Sequence, residues 1–164
     1  MKLIAAVDGA WHIGLGDRTA YRLAQDLHHF RQLTYGGVVI MGRKTFETLP
    51  HALDGRVNLV LSRRMQPCAG IRICRDLSQL EDALRSMQAR PRWVIGGAEI
   101  YRLLLPFCTS AHITYTDGIY PADRTFPVPL PALGWTLEQE EPVPDTRGAF
   151  RFQLYRNPAP RTFA

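Results

Sequence analysis

Val38-Val39-Ile40-Met41-Gly42-Arg43-Lys44-Thr45 decides the fold class. Four consecutive apolar residues between Gly36-Gly37 and Gly42 read as a strand buried on both faces, the hallmark of a parallel sheet. The chain then enters a short helix, from about Lys44 to Leu49, which Pro50 stops. Two cations at a helix start sit at the unfavourable end of the dipole. Beside free backbone N–H groups, that local conflict marks an anion-binding junction. It is not a Walker A loop, because Arg43 intervenes and the residues between Gly37 and Gly42 are a strand.

Two further segments repeat the design. Trp93-Val94-Ile95 is a strand, followed by Gly96-Gly97 and a helix through Leu105 that Pro106 ends. Adjacent glycines let a backbone approach a ligand closely. The strand Val57–Leu61 runs into Ser62-Arg63-Arg64, where guanidinium groups and a hydroxyl suit a phosphate monoester. One pyrophosphate and one 2′-phosphate, as in NADP, would fill two such sites.

Working outward, residues 2–8 are a strand ending at Asp8-Gly9, and Ile71–Cys74 is a short one. Leu23, Leu27, Phe30 and Leu33 recur at helical spacing and predict a helix over 24–34. Leu77, Leu80, Leu84 and Met87 predict another, capped by Ser78. Residues 111–116, 135–141 and 150–155 read as late strands. The last two alternate around a turn at Pro144–Gly148, which predicts an antiparallel hairpin. Residues 9–22 and 121–131 read as long loops, and 158–164 as a frayed tail. The whole is a single α/β domain over 1–164, with a mainly parallel central sheet, an antiparallel C-terminal hairpin and helices on both faces. Ligands of such sheets sit at the carboxyl ends of the strands.

Composition narrows the function. At 164 residues and 46% hydrophobic, the chain has enough core for one domain. No apolar run approaches the roughly 18 residues of a membrane span, and the N-terminus lacks a signal-peptide pattern. Three cysteines without ligand spacing, and the consecutive His28-His29, imply neither disulfide framework nor metal. A cytoplasmic protein is expected. The net charge of +5 is concentrated: residues 31–92 carry 11 basic and 5 acidic groups, while the flanking segments sum to near neutrality. An anionic partner follows. Without aromatic platforms or a recognition element, a phosphorylated small molecule fits better than nucleic acid. Asp26 stands on the apolar stripe of the first helix. It is either solvated at the stripe's edge or a carboxylate that grips a guanidine-like N–C–N edge of a ligand.

Taken in order, Leu3-Ile4-Ala5-Ala6, Ile13-Gly14, Asp26-Leu27, Met41-Gly42-Arg43-Lys44-Thr45, Leu53 with Gly55-Arg56, Leu61-Ser62, Ile95-Gly96-Gly97 with Tyr101, Ile113-Thr114 and Asp123 with Phe126-Pro127 resemble the dihydrofolate reductase family from end to end. The resemblance implies that fold, NADPH as cofactor and a dihydropterin substrate. Hydride would pass from nicotinamide C4 to pterin C6, with protonation of N5. It places the cofactor on Ala6, Ile13, Gly14, Gly42, Arg43, Lys44, Thr45, Ser62, Arg63, Arg64, Ile95, Gly96, Gly97, Ala98, Glu99, Ile100 and Tyr101. Substrate would meet Ile4, Ala5, Asp26, Leu27, Phe30, Leu53, Arg56 and Thr114. Asp26, Thr114 and Tyr21 are the implied catalytic group, with Asp26 on pterin N3 and the 2-amino group. Loop 9–22 would close over the site. A monomer without nucleic-acid or membrane partners is expected.

The sequence departs from the family pattern at four places. Tyr21 replaces the usual Trp, Ala24 the usual Pro, Thr19-Ala20 the usual Met-Pro, and Glu99 an Arg that often binds cofactor. The leading expectation is reduction of 7,8-dihydrofolate to tetrahydrofolate. The alternatives are another dihydropterin, such as dihydromethanopterin, and a non-catalytic pterin- or nucleotide-binding module.

Overall fold

The computed structural model describes residues 1–145 and 149–163. Its strands are β1 (Lys2–Val7), β2 (His12–Gly14), β3 (Val38–Gly42), β4 (Val57–Leu61), β5 (Ile71–Cys74), β6 (Arg92–Gly96), β7 (Ser110–Thr116), β8 (Arg124–Thr125), β9 (Thr136–Val143) and β10 (Phe150–Arg156). Its helices are α1 (Ala24–Thr34), α2 (Arg43–Glu47), α3 (Leu77–Arg85) and α4 (Ala98–Leu104). Eight strands form one sheet in the order β5-β4-β3-β6-β1-β7-β10-β9. The first six of these run parallel, and β10 and β9 are antiparallel.

Strand periodicity explains the two layers of core. Leu3, Ala5 and Val7 of β1 face the same side as Val38, Ile40, Leu59 and Val94, under Leu80, Ala83 and Leu84 of α3 and Leu104 of α4. Ile4, Val39, Met41, Val60 and Trp93 face the other side, against Phe46 of α2 and Phe30 and Leu33 of α1. Central strands covered on both faces need apolar residues at every position, as Val38–Met41 has.

The parallel strands end level, and this aligns their junctions. β3 and β6 are neighbours, so the starts of α2 and α4 emerge side by side. β4 and β5 follow on the same flank, with Leu61 in register with Cys74. Four successive junctions therefore open on one edge of the sheet.

Several local expectations change. Helix α3 is capped by Asp76, whose carboxylate accepts from Gln79 N at 2.8 Å, and Ser78 lies inside the helix. The Gln79 side chain reciprocates by accepting from Arg75 N at 2.9 Å. α2 begins at Arg43 and ends at Glu47, short of the expected Leu49. α4 ends at Leu104, and Leu105–Phe107 form a 3-10 turn. Loop 9–22 is not irregular throughout: β2 pairs with β8 from the other expected loop, 121–131. Trp11, at φ 59°, buries its indole between Tyr115, Phe126 and Tyr155 and so anchors the segment. β9 does not alternate. It is the sheet edge, and all but Val143 is exposed. The tail is docked rather than frayed, with Arg161 N donating to Pro106 O and the Phe163 ring 4.9 Å from Phe107. Within the expected turn at 144–148, residues 146–148 lie outside the described residues, as does residue 164 of the tail. Among the described residues no helix is long and apolar enough to cross a membrane.

Because the Asp76 carboxylate accepts the Gln79 N–H at the start of α3, Asp76→Ala should lower unfolding free energy by about 1 kcal/mol, whereas Ser78→Ala should change it little. Urea denaturation of the two variants reads the difference.

Candidate active site

The level strand ends build a cavity of about 760 Å³. Gly42, Arg43, Lys44 and Thr45 from the β3–α2 junction line it with Gly97, Ala98, Glu99 and Ile100 from the β6–α4 junction. Ser62, Arg63 and Arg64 follow from the end of β4. The structure thus gathers the three predicted anion junctions into one place. A side chain at Gly42 would press on Ile100, and one at Gly97 would come within 3.4 Å of the Thr45 hydroxyl. Arg43 donates at 2.8 Å to both carboxylate oxygens of Glu47, one turn along α2. Ser62 Oγ accepts from Met65 N at 3.1 Å and shapes the turn that carries Arg63 and Arg64.

A smaller cavity, about 150 Å³, adjoins it and is lined by Ala6, Ile13, Ile95, Gly97 and Tyr101. Tyr101 is buried, and its hydroxyl donates to Ile4 O at 2.8 Å. Burial pushes the Tyr101 phenol well above its ordinary range, so it keeps that proton. Gly96 sits at φ +115°, and a Cβ there would be 3.1 Å from the Tyr101 ring. Only glycine meets both conditions.

Asp26 and Thr114 come together from distant elements. α1 crosses the face of β7, and Thr114 Oγ1 donates to Asp26 Oδ1 at 2.5 Å. Ala6, Thr114 and Phe152 stand in register across β1, β7 and β10 beneath the helix. Burial pushes the Asp26 carboxyl above the usual carboxylate range, and the Thr114 hydrogen bond and nearby His29 pull it part of the way back. His29 itself stacks on Phe152 at 3.9 Å, and burial lowers its pKa against the opposing pull of Asp26 and Glu141. Of the stripe on α1, Leu23 is buried and Phe30 and Leu33 pack on the core, but Leu27 is 63% exposed. An apolar residue left open beside a carboxylate is a surface for a ligand with an apolar body and a polar edge.

Arg56 is fixed at the far end of α1. Its Nη1 donates to Thr34 Oγ1 at 3.0 Å, its Nε to Asp54 O at 3.0 Å, and its guanidinium lies over the Phe30 ring. Leu53 is held by Asn58, which is buried and bonds both backbone groups of Leu53.

Three expected contributors stand differently. The Tyr21 hydroxyl lies 2.8 Å from Thr114 O and 3.1 Å from Val7 O, and burial raises its pKa. Its one proton is shared with backbone carbonyls, which ties the loop to β1 and β7. Ala5 points into the opposite core layer, with Leu3 and Val7, so only its backbone faces the site. Gly14 pairs with Arg124 and lines neither cavity.

Sequence reasoning passed over three residues. Arg75 lines the large cavity and donates to Ser62 O at 3.1 Å. The Leu61–Cys74 register carries it there, and β-pairing is invisible in the sequence. Arg124 lines both cavities. Asp8, fully buried at the end of β1, accepts from the backbone of Ala10, His12 and Tyr120, each at 2.9 Å, and bonds His12 Nδ1 at 2.8 Å. Burial alone would raise its pKa, but these four donors outweigh it and hold the carboxyl below the usual range. Its place at the strand end was the available signal.

Known proteins agree with this architecture. The family model described as dihydrofolate reductase matches residues 1–157. The chain is 40% identical over 148 residues to a dihydrofolate reductase of Mycobacterium tuberculosis, covering 87% of this chain and 88% of that one. It is 33% identical over 152 residues to dihydrofolate reductase type 3 of Salmonella typhimurium, covering 92% of each. A solved structure of dihydrofolate reductase from Enterococcus faecalis, complexed with NADP(H) and RAB-propyl, has the same fold, with a TM-score of 0.81 over 94% of both chains at 24% identity.

The raised pKa of Asp26 has a stability consequence. A carboxyl whose folded pKa exceeds its unfolded value favours the folded state below the unfolded pKa and loses that contribution as pH rises through the folded pKa. Asp26→Asn should therefore raise the melting temperature of the free protein at neutral pH. The gain should shrink as pH falls through the raised titration range of Asp26, where the carboxyl takes up its own proton. Thermal melts of both proteins across pH 4–8 test this.

Proposed function

The chain belongs to the dihydrofolate reductase family, and we propose that it performs the family's reaction with the residues assembled above. It is an NADPH-dependent oxidoreductase that reduces 7,8-dihydrofolate to tetrahydrofolate. NADPH, when bound, supplies the hydride that reaches pterin C6.

The residues of the two cavities fit that cofactor. Arg43, Lys44, Ser62, Arg63, Arg64 and Arg75 would hold the adenine-side phosphate. The backbone at Lys44–Thr45 and Gly97–Glu99 would meet the bridging phosphates. The slot between Ala6, Ile13, Ile95 and Tyr101 takes the nicotinamide, and Gly96 leaves room for it.

On the substrate side, Asp26 receives pterin N3–H and the 2-amino group in a charge-assisted pair, and Thr114 fixes the orientation of the carboxylate. The pair satisfies a half-buried carboxylate that is otherwise costly, so a matching ring is preferred over one without the amino group. Leu27, Phe30 and Leu53 pack the arylamine portion, and Ile4 lies beneath the ring. Arg56, already held by Thr34 and Asp54 O, is ready to bind the tail carboxylate without further ordering. Closure of loop 9–22 keeps bulk water from the reacting atoms, and a single water carries the proton to N5.

The observation that carries the reading is the Asp26–Thr114 bond at 2.5 Å beside the exposed Leu27 and adjacent to the ring slot. Purified protein should oxidise NADPH, followed by absorbance, when given dihydrofolate. Asp26→Asn should cut turnover by about a hundredfold or more while leaving the NADPH dissociation constant within about twofold. Arg56→Ala should raise KM for dihydrofolate about tenfold with little change in kcat. Activity confined to dihydromethanopterin would replace the substrate. NADPH binding without turnover of any dihydropterin would leave a binding module.

A further inference from the structure

Three residues line both cavities: Thr45, Gly97 and Arg124. They mark the passage between the basic groove and the ring slot. Thr45 and Gly97 belong to helix starts. Arg124 is the one cation among the three, and it comes from the far side, on the two-residue strand β8. Its guanidinium is already in use. Nη2 donates to Gly16 O at 2.5 Å and to Arg18 O at 3.1 Å, and Nε lies 3.4 Å from Asp123 Oδ1. Asp123 in turn accepts from Gly16 N at 3.1 Å. A side chain at Gly14 would collide with the guanidinium, so its seat against the loop backbone requires glycine there. Nη1 forms no hydrogen bond to the described residues.

Resting on the cofactor reading above, the group that crosses this passage is the bridging diphosphate of NADPH. Glu99, at the start of α4, lines the large cavity with negative charge. A guanidinium with a spare Nη1 suits a phosphate, because its planar fork can serve two acceptors at once. We propose that Arg124 is a cofactor-positioning residue that binds the bridging diphosphate through Nη1 and holds loop 9–22 through Nη2. Cofactor binding and loop ordering then share one side chain. The diphosphate fixes the guanidinium, and the fixed guanidinium fixes the carbonyls of Gly16 and Arg18. The cation that Glu99 denies to the α4 side is supplied from the loop side.

The test uses full-length wild type, R124Q and R124K with two probes. These are NADPH and adenosine 2′-monophosphate, which carries the 2′-phosphate but no diphosphate. Dissociation constants come from titration, and loop order from amide hydrogen exchange over residues 15–18. In R124Q the NADPH dissociation constant should rise about tenfold or more, while that for adenosine 2′-monophosphate stays within about twofold. NADPH should slow exchange over 15–18 in wild type, adenosine 2′-monophosphate should not, and R124Q should lose the effect. R124K, charged but unable to fork, should recover part of the affinity and little of the protection. NADPH binding within about twofold of wild type in R124Q overturns the proposal, as does equal loss of both probes in R124Q and R124K. Failure of wild type to bind NADPH removes the cofactor reading itself, and the proposal with it.

Discussion

Everything at the site depends on β3 and β6 lying side by side in a parallel sheet. Parallel neighbours deliver their following helices to the same edge, and here the helices begin immediately, at Arg43 and Ala98. Two sets of free N–H groups therefore converge. β4 and β5 extend the row and add Ser62, Arg63, Arg64 and Arg75. The charge concentrated between residues 31 and 92 is a product of this row. Six of its eleven cations fall at the strand ends or on Arg56.

The second constraint is a carboxylate on an apolar helix face. Asp26 is stabilised from one side by Thr114 and leaves its other lone pairs to a partner. Burial raises its pKa, which is the cost of keeping an acceptor away from bulk water. Such a group gains most from a ligand offering two N–H donors in one plane. Under the proposed function the surrounding side chains would serve that ligand: Leu27, left exposed, would meet an apolar body, and Arg56, held by Thr34 and Asp54, an anionic tail. The Tyr21 hydroxyl, tied to Thr114 O and Val7 O, joins the loop to β7, which carries Thr114, and to its neighbour β1.

The parts legible in the sequence were those where a residue opposed its local context. Arg43 and Lys44 at a helix start oppose the dipole. Asp26 opposes its stripe, and Gly96-Gly97 interrupts a strand-to-helix transition. Each contradiction pointed to a ligand, and each residue lies where the strand order brings it to the site. What stayed hidden came from pairing between distant segments. Arg75 is a surface arginine until β5 is placed beside β4, and Arg124 is a loop residue until β8 meets β2. Asp76 and Ser78 are both acceptable caps, and the helix boundary alone decides between them. Docking of Phe163 on Phe107 depends on where the 3-10 turn after α4 delivers its ring.

The central claim is that Asp26 reads the amino-bearing edge of the pterin. A binding cycle tests it most directly, comparing dihydrofolate with its analogue lacking the 2-amino group on wild type and Asp26→Asn. Wild type should prefer the amino-bearing ring by about tenfold or more, and the variant should distinguish the two by no more than about threefold. An equal preference in both proteins would contradict the account, because the amino group would then be recognised somewhere other than Asp26.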